Sequence, residues 1–392
     1  MCSSYGTGKT EAIRTQGVPR DIGQGMRMAA EMTPRERWLA ALSLEPVDRL
    51  AFWPKLDASY PMHRDASFRD MPIAEIHSWI GSDRHEGVGP GLRDVRTHTA
   101  FETIRDGDGS RDVFRSRHGE LTRINRFDPT SQSRHPVCFP VKTADDVKIM
   151  TEWYADCRPE PDAEALAEVR RQREANGADA LSVTHIGQSP LMHWVEWLAG
   201  VENAHYLLFD FTDDVLALFE AMHRVLVRRA EILADRHPAD AFYMVENTST
   251  TLISVDQYRT YNLDHITRYA EITKDAGRHL LLHMCGHLKD LLGDLARVPC
   301  SGFEAFTAPS LGNTTLLDGR TTCPDKCLIG GTQATDWLRP PEQIIAGIRG
   351  SLDDLPHHRG IVVTSAGVMP PWCPPETIKT VCDWVKAYPV RL

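Results

Sequence analysis

The segment His283-Met284-Cys285-Gly286-His287 carries the residue types most capable of chemistry. It ends the apolar run 278–282 and is followed by a glycine turn, the pattern of a buried parallel strand. In an extended chain, residues two apart point the same way. His283 and Cys285 therefore share a face, with Met284 opposite. An imidazole nitrogen and a cysteine sulfur on one face are two of the donors that zinc prefers.

Further donors come from the ends of other strands. Glu246 follows the run 241–245, and a carboxylate oxygen suits zinc. Cys373 stands in the proline-rich loop after the last strand and is placed to fold over the same mouth. His287 belongs to a first helical turn, or orients a ligand from behind. Lys55, Asp57 and His185 are polar groups just past strand ends and are expected to line a substrate pocket. Each has an ordinary alternative: a buried histidine often bonds a carbonyl, and a buried thiol often only fills space. Trp194 and Trp197 are read as core. Cys300, Cys323 and Cys327 precede their strands and are expected at the opposite end of the molecule.

Positioning these groups takes a repeating scaffold. Thr33-Pro34-Arg35-Glu36 has a helix cap, a first-turn proline and a capping-box glutamate. Strands are expected at 49–53, 180–184, 241–245, 279–283, 302–306, 327–330 and 360–364, with a weak one within 60–95. Helices are expected at 162–174, 213–236, 254–275, 287–297, 341–352 and 375–388. The turn signals between 103 and 127 mark a β-hairpin decoration. Such βα repeats predict a (β/α)8 TIM barrel spanning 33–392, preceded by an N-terminal extension, a loose arm over 1–32. In that fold active groups lie at the C-terminal strand ends, where His283, Cys285 and Glu246 fall.

Composition narrows the function. The net charge of −10 and the lack of a basic run argue against nucleic acid. No apolar stretch of ~18 residues spans a membrane, and no apolar leader opens the chain. Nine scattered cysteines fit reduced thiols in a cytoplasm. Gly6-Thr-Gly-Lys-Thr10 has part of a phosphate-loop pattern, but Ser3 stands where a glycine is needed and no strand precedes it.

The chain resembles the uroporphyrinogen decarboxylase superfamily and, within it, the zinc-dependent corrinoid-linked methyltransferases. The carrying residues are Met32-Thr-Pro-Arg-Glu-Arg37, Pro46-Val-Asp-Arg49, Arg117-His-Gly-Glu-Leu121, Glu246-Asn-Thr-Ser-Thr, His283-Met-Cys-Gly286, Ser365-Ala-Gly-Val-Met-Pro-Pro371 and Pro374-Pro-Glu-Thr-Ile378. They extend from about residue 32 to the end. The resemblance implies a (β/α)8 barrel with His283 and Cys285 as ligands to Zn2+. It also implies a corrinoid (cobalamin) supplied by a partner protein. Two departures matter. The arginine-bearing stretch of the decarboxylases is replaced by Phe52-Trp-Pro-Lys-Leu56, and a cysteine usual in the methyltransferases is replaced by Val368. The expected activity is therefore transfer of a methyl group from a small donor, a methyl ether, to cob(I)alamin. The alternatives are the reverse transfer to a thiol, and a metal-free decarboxylase-like lyase or tetrapyrrole-binding protein. The expected partners are a corrinoid protein, the small methyl donor or thiol acceptor, and a second copy of the chain.

Overall fold

The computed structural model describes residues 31–57, 59–62, 64–107, 109–128 and 133–392. The expected arm, apart from its last two residues, and the Gly6–Thr10 fragment lie outside them. Eight parallel strands form a nearly closed barrel: Ala51–Trp53 (β1), Arg84–Gly87 (β2), Ala180–Gly187 (β3), Ala241–Val245 (β4), His279–His283 (β5), Gly302–Phe306 (β6), Cys327–Gly330 (β7) and Ile361–Thr364 (β8). Neighbours follow in chain order from β2 to β8, and β1 pairs with β8. At the remaining seam the Asp83 N–H donates to the Phe52 carbonyl at 2.8 Å.

Apart from β2, Arg84–Gly87, which is polar and largely half buried, the strands read as largely apolar runs because both faces are covered. Phe52, Phe242, Leu280, Leu282 and Phe303 pack outward against the helices. Trp53, Leu181, Val183, Tyr243, Leu281, Ile329 and Val362 fill the interior, with Trp38 joining them. Trp38 sits on the helix Pro34–Leu42, which Thr33 and Glu36 open with the predicted capping box. Arg37 binds Asp48 through two nitrogens at 2.7 Å and also pairs with Asp83; Arg49 reaches Asp83 at 2.7 Å. The motifs around residues 32–37 and 46–49 thus hold the barrel's seam rather than its chemistry.

Two expectations change. The hairpin is a four-stranded antiparallel sheet, Ala100–Asp106, Gly109–Ser116, Gly119–Asp128 and Ser133–Cys138. The helix expected over 287–297 is a 3-10 turn, Lys289–Leu291, and one α-turn, Leu292–Leu295. The side-chain oxygen of Asn313 takes the N–H groups of Leu288 and Lys289, at 2.7 and 3.1 Å, and fixes the chain entering that turn. No helix among the described residues is long and apolar enough to cross a membrane.

Candidate active site

His283 closes β5 on its interior face, level with Val245 of β4 and Glu304 of β6. That register sets an imidazole beside a carboxylate. A break in the β6–β7 pairing falls after Glu304, and Ala305 there adopts φ 58°. Asn247 (φ 47°), just past β4, and Ala366 (φ 59°), just past β8, also lie in the left-handed region. Each such residue costs about 1–3 kcal/mol, and strain of this kind gathers where a strand end must aim a side chain.

Glu304 accepts from three sides and is 1% exposed. Lys55 Nζ lies 3.1 and 3.2 Å from its two oxygens, and Tyr243 Oη and His283 Nδ1 bond to one of them. Burial alone would raise the Glu304 pKa. The charges of Lys55 and His283, with the His283 and Tyr243 hydrogen bonds, hold it well below the carboxylate range. Burial likewise opposes charge on His283, but the facing carboxylate raises its pKa to about 9. With Nδ1 turned to Glu304, Nε2 is the nitrogen left for a metal or substrate, the arrangement that holds metal-binding histidines. Cys285 is half buried, two residues past His283, and lies close enough to help raise the pKa of that ring. Its thiol donates to Asn247 Oδ1 at 3.6 Å, and Asn247 in turn donates to Glu196 at 3.0 Å. Gly286 is required next: a Cβ there would stand 2.2 Å from the Ser249 Cβ and 2.6 Å from the Thr248 carbonyl oxygen.

The other sequence candidates divide. Lys55, Asp57 and His185 line a cavity of about 340 Å³ in the barrel mouth, together with Trp53, His85, Tyr243, His283 and Val368. Glu246 stands at the end of β4, fully buried, but its carboxylate is taken by Ser189, whose N–H donates at 2.8 Å and whose hydroxyl donates as well. Burial lifts its pKa to about 7. Cys373 packs in the apolar core, its thiol pushed up to about 12 by burial, while its carbonyl accepts from Tyr60 at 2.7 Å. His287 uses its backbone, donating to Ser249 Oγ at 3.0 Å. Among the described residues no three His, Cys, Asp or Glu side chains gather so as to hold a metal ion. The chain offers two donors that suit zinc. Glu246 and Cys373 join them only by giving up their present partners. Trp194 is core; Trp197 lies beneath the Arg123 guanidinium.

Three groups escaped the sequence reading. Glu304 and Tyr243 sit inside apolar strands, where a lone polar residue on the inward register was the signal available. Glu196 lies in a five-residue π-helix, Trp194–Leu198, a feature frequent at functional sites. Its buried carboxyl has a raised pKa.

Histidines in this region give a pH prediction. His77 lines the cavity and is 3% exposed, and burial lowers its pKa to about 3. As pH falls below 6.5 the unfolded chain gains a proton that the folded chain refuses, so stability is lost. Between pH 7.5 and 5 the native protein should lose about 2 kcal/mol that His77→Gln does not lose, read from urea unfolding at both values.

A family model described as Uroporphyrinogen decarboxylase (URO-D) matches residues 189–388, just over half of the chain. No curated protein matches the sequence. Among solved structures, a methyltransferase from Methanosarcina mazei is similar at TM-score 0.57 and 16% identity, covering 91% of this chain and 99% of its own. A Listeria monocytogenes protein assigned as a vitamin-B12 independent methionine synthase overlaps at TM-score 0.47 and 10% identity, covering 87% and 96%.

Proposed function

Because the chain belongs to the uroporphyrinogen decarboxylase family, we propose that it is a zinc-dependent methyltransferase that moves a methyl group from a small methyl ether to the cob(I)alamin of a separate corrinoid protein. One observation carries this reading: His283 and Cys285 stand together in the barrel mouth, with the His283 Nδ1 engaged by Glu304. The structurally similar Methanosarcina protein is a methyltransferase, which supports the reaction class.

His283, through Nε2, and Cys285 are the donors this chain would offer to zinc. When bound, zinc supplies Lewis acidity toward an ether oxygen or a thiol sulfur. Glu304 fixes the imidazole, and Lys55 and Tyr243 keep that carboxylate ionised and in place. Trp53, Tyr243, Val183 and Val245 give the substrate an apolar wall. Exposed Leu311, Leu338, Val368 and Trp372 follow the C-terminal ends of β6, β7 and β8, an apolar rim suited to a docking corrinoid protein.

The decarboxylase reading is less well supported. A multiply carboxylated tetrapyrrole calls for several arginine or lysine contacts. Among the described residues lining the mouth cavity itself, Lys55 is the one lysine or arginine, and it is committed to Glu304. A volume of about 340 Å³ also sits at the small end for ligand pockets. Transfer in the opposite direction, to a thiol, uses the same two donors; the absence of a cysteine at Val368 favours the ether. The test mixes the purified protein with cob(I)alamin and 2-methoxyphenol under anaerobic conditions. Protein-dependent conversion of the cob(I)alamin spectrum to that of methylcobalamin is expected. No conversion with any of a panel of methyl ethers and thioethers, alongside carbon dioxide release from a carboxylated substrate, would overturn the proposal.

A further inference from the structure

A second space opens beside the barrel mouth. A cavity of about 320 Å³ shares His185 with the mouth cavity. It shares Asp94, Gly187 and Arg229 with a recess of about 160 Å³ behind it. The three cavities are therefore neighbours, in the order mouth, middle space, recess.

The recess has apolar walls, Trp153, Tyr154, Met222 and Leu226, and two guanidinium groups. Arg229 bonds Asp94 at 2.6 Å, while its Nε is buried with no hydrogen-bond partner among the described residues. Arg96 lies over the Trp153 ring, 3.4 Å from its centre, and donates to the Trp153 carbonyl. Among the described residues no carboxylate forms an ion pair with Arg96. The remaining titratable lining groups are Tyr154, Cys157 and His193. Burial holds all three neutral near pH 7, raising the tyrosine and cysteine and lowering the histidine. Among the lining residues two cations thus face one carboxylate, Asp94, in a partly dehydrated space, with Asp156 acting on Arg96 from outside the lining. An uncompensated charge there is costly until an anion arrives. Burial also pulls the Arg96 pKa down, as expected for a cation short of partners.

We propose that the recess binds a carboxylate: the substrate is a small carboxylic acid with an apolar body, anchored at Arg96 and Arg229, its other end reaching past His185 into the barrel mouth. The assignment of that far end as the reacting one rests on the methyl-transfer reading; the anion site does not. Guanidinium pairs suit a carboxylate by geometry as well as charge.

Calorimetric titration of the full-length protein with benzoate, and with its neutral analogue benzamide, tests this. Benzoate should bind, and benzamide should bind at least about tenfold more weakly, as should benzoate to Arg229→Met or Arg96→Met. Asp94→Asn removes the competing carboxylate, so benzoate should bind more tightly, a change that a merely structural role would not produce. Should Arg229→Met fail to fold, Arg96→Met and Asp94→Asn carry the test. Equal binding of benzamide, no benzoate binding, or unchanged affinity in both Arg96→Met and Asp94→Asn overturns the proposal. Cys285→Ala should bind benzoate as the native protein does. If that variant also keeps full transferase activity, the methyl-transfer reading fails while the anion site stands.

Discussion

If the chain is the zinc methyltransferase proposed above, Cys285→Ala is expected to lose zinc binding and at least about a hundredfold in methyl-transfer rate, with little loss of fold. The fold should survive because Cys285 is only half buried and lies beyond the last residue of β5. Its sulfur hydrogen-bonds Asn247 and fills no part of the apolar core. Truncation therefore opens little cavity. The metal would be left with His283 alone of the two donors now side by side, too few for a tight zinc site. Metal content, transfer rate and urea midpoint should be measured on one preparation. Loss of metal and rate with an unchanged midpoint is the expected pattern. Full activity in the variant would count against the site.

Glu304→Gln should have the largest effect on stability, roughly 3 kcal/mol. Glu304 is the shared counter-charge of Lys55 and His283. Without it two cations face each other in the barrel mouth, and burial then pushes the His283 pKa down, not up. The signs of the two shifts define the window. The depressed Glu304 pKa gives stability that is present above the ordinary 4.5 and lost as pH falls through the folded value. The raised His283 pKa gives stability that is present below 6.5 and lost as pH rises toward about 9. With metal-free protein, where His283 is free to titrate, the difference between native and Glu304→Gln in urea unfolding should thus be greatest between about pH 4.5 and 6.5 and shrink on either side. The loss of the carboxylate charge behind Nδ1, where an amide oxygen can still accept the hydrogen bond, should also weaken zinc binding by about 10–100-fold. A variant as stable as the native protein throughout this range would refute the role given to Glu304.

The barrel was legible because most of its strands are short apolar runs closed by polar groups and separated by helices; polar β2, Arg84–Gly87, gave only a weak signal. The strand–residue alternation placed His283 and Cys285 on one face, and the structure sets them side by side. Lys55 and Asp57, just past the end of β1, and His185, near the end of β3, were found by position alone. What the sequence hid was register. Glu304 looks like one polar residue in an apolar strand until β6 is laid against β5, which brings it level with His283. Glu246 and Cys373 illustrate the converse. Both lie at the correct end of the barrel, yet Ser189 draws the first carboxylate away and apolar packing takes the second thiol. Chain position fixes the end of a strand that a side chain occupies; rotamer and neighbours decide what it touches. The π-helix around Glu196 also has no periodic signature in so short a stretch.

Diffraction at the zinc absorption edge, on crystals of protein purified without chelator, tests the central claim most directly. An anomalous peak is expected about 2.0–2.1 Å from His283 Nε2 and about 2.3 Å from Cys285 Sγ. An active protein with no metal between those two atoms, or with the two side chains turned apart, would contradict it.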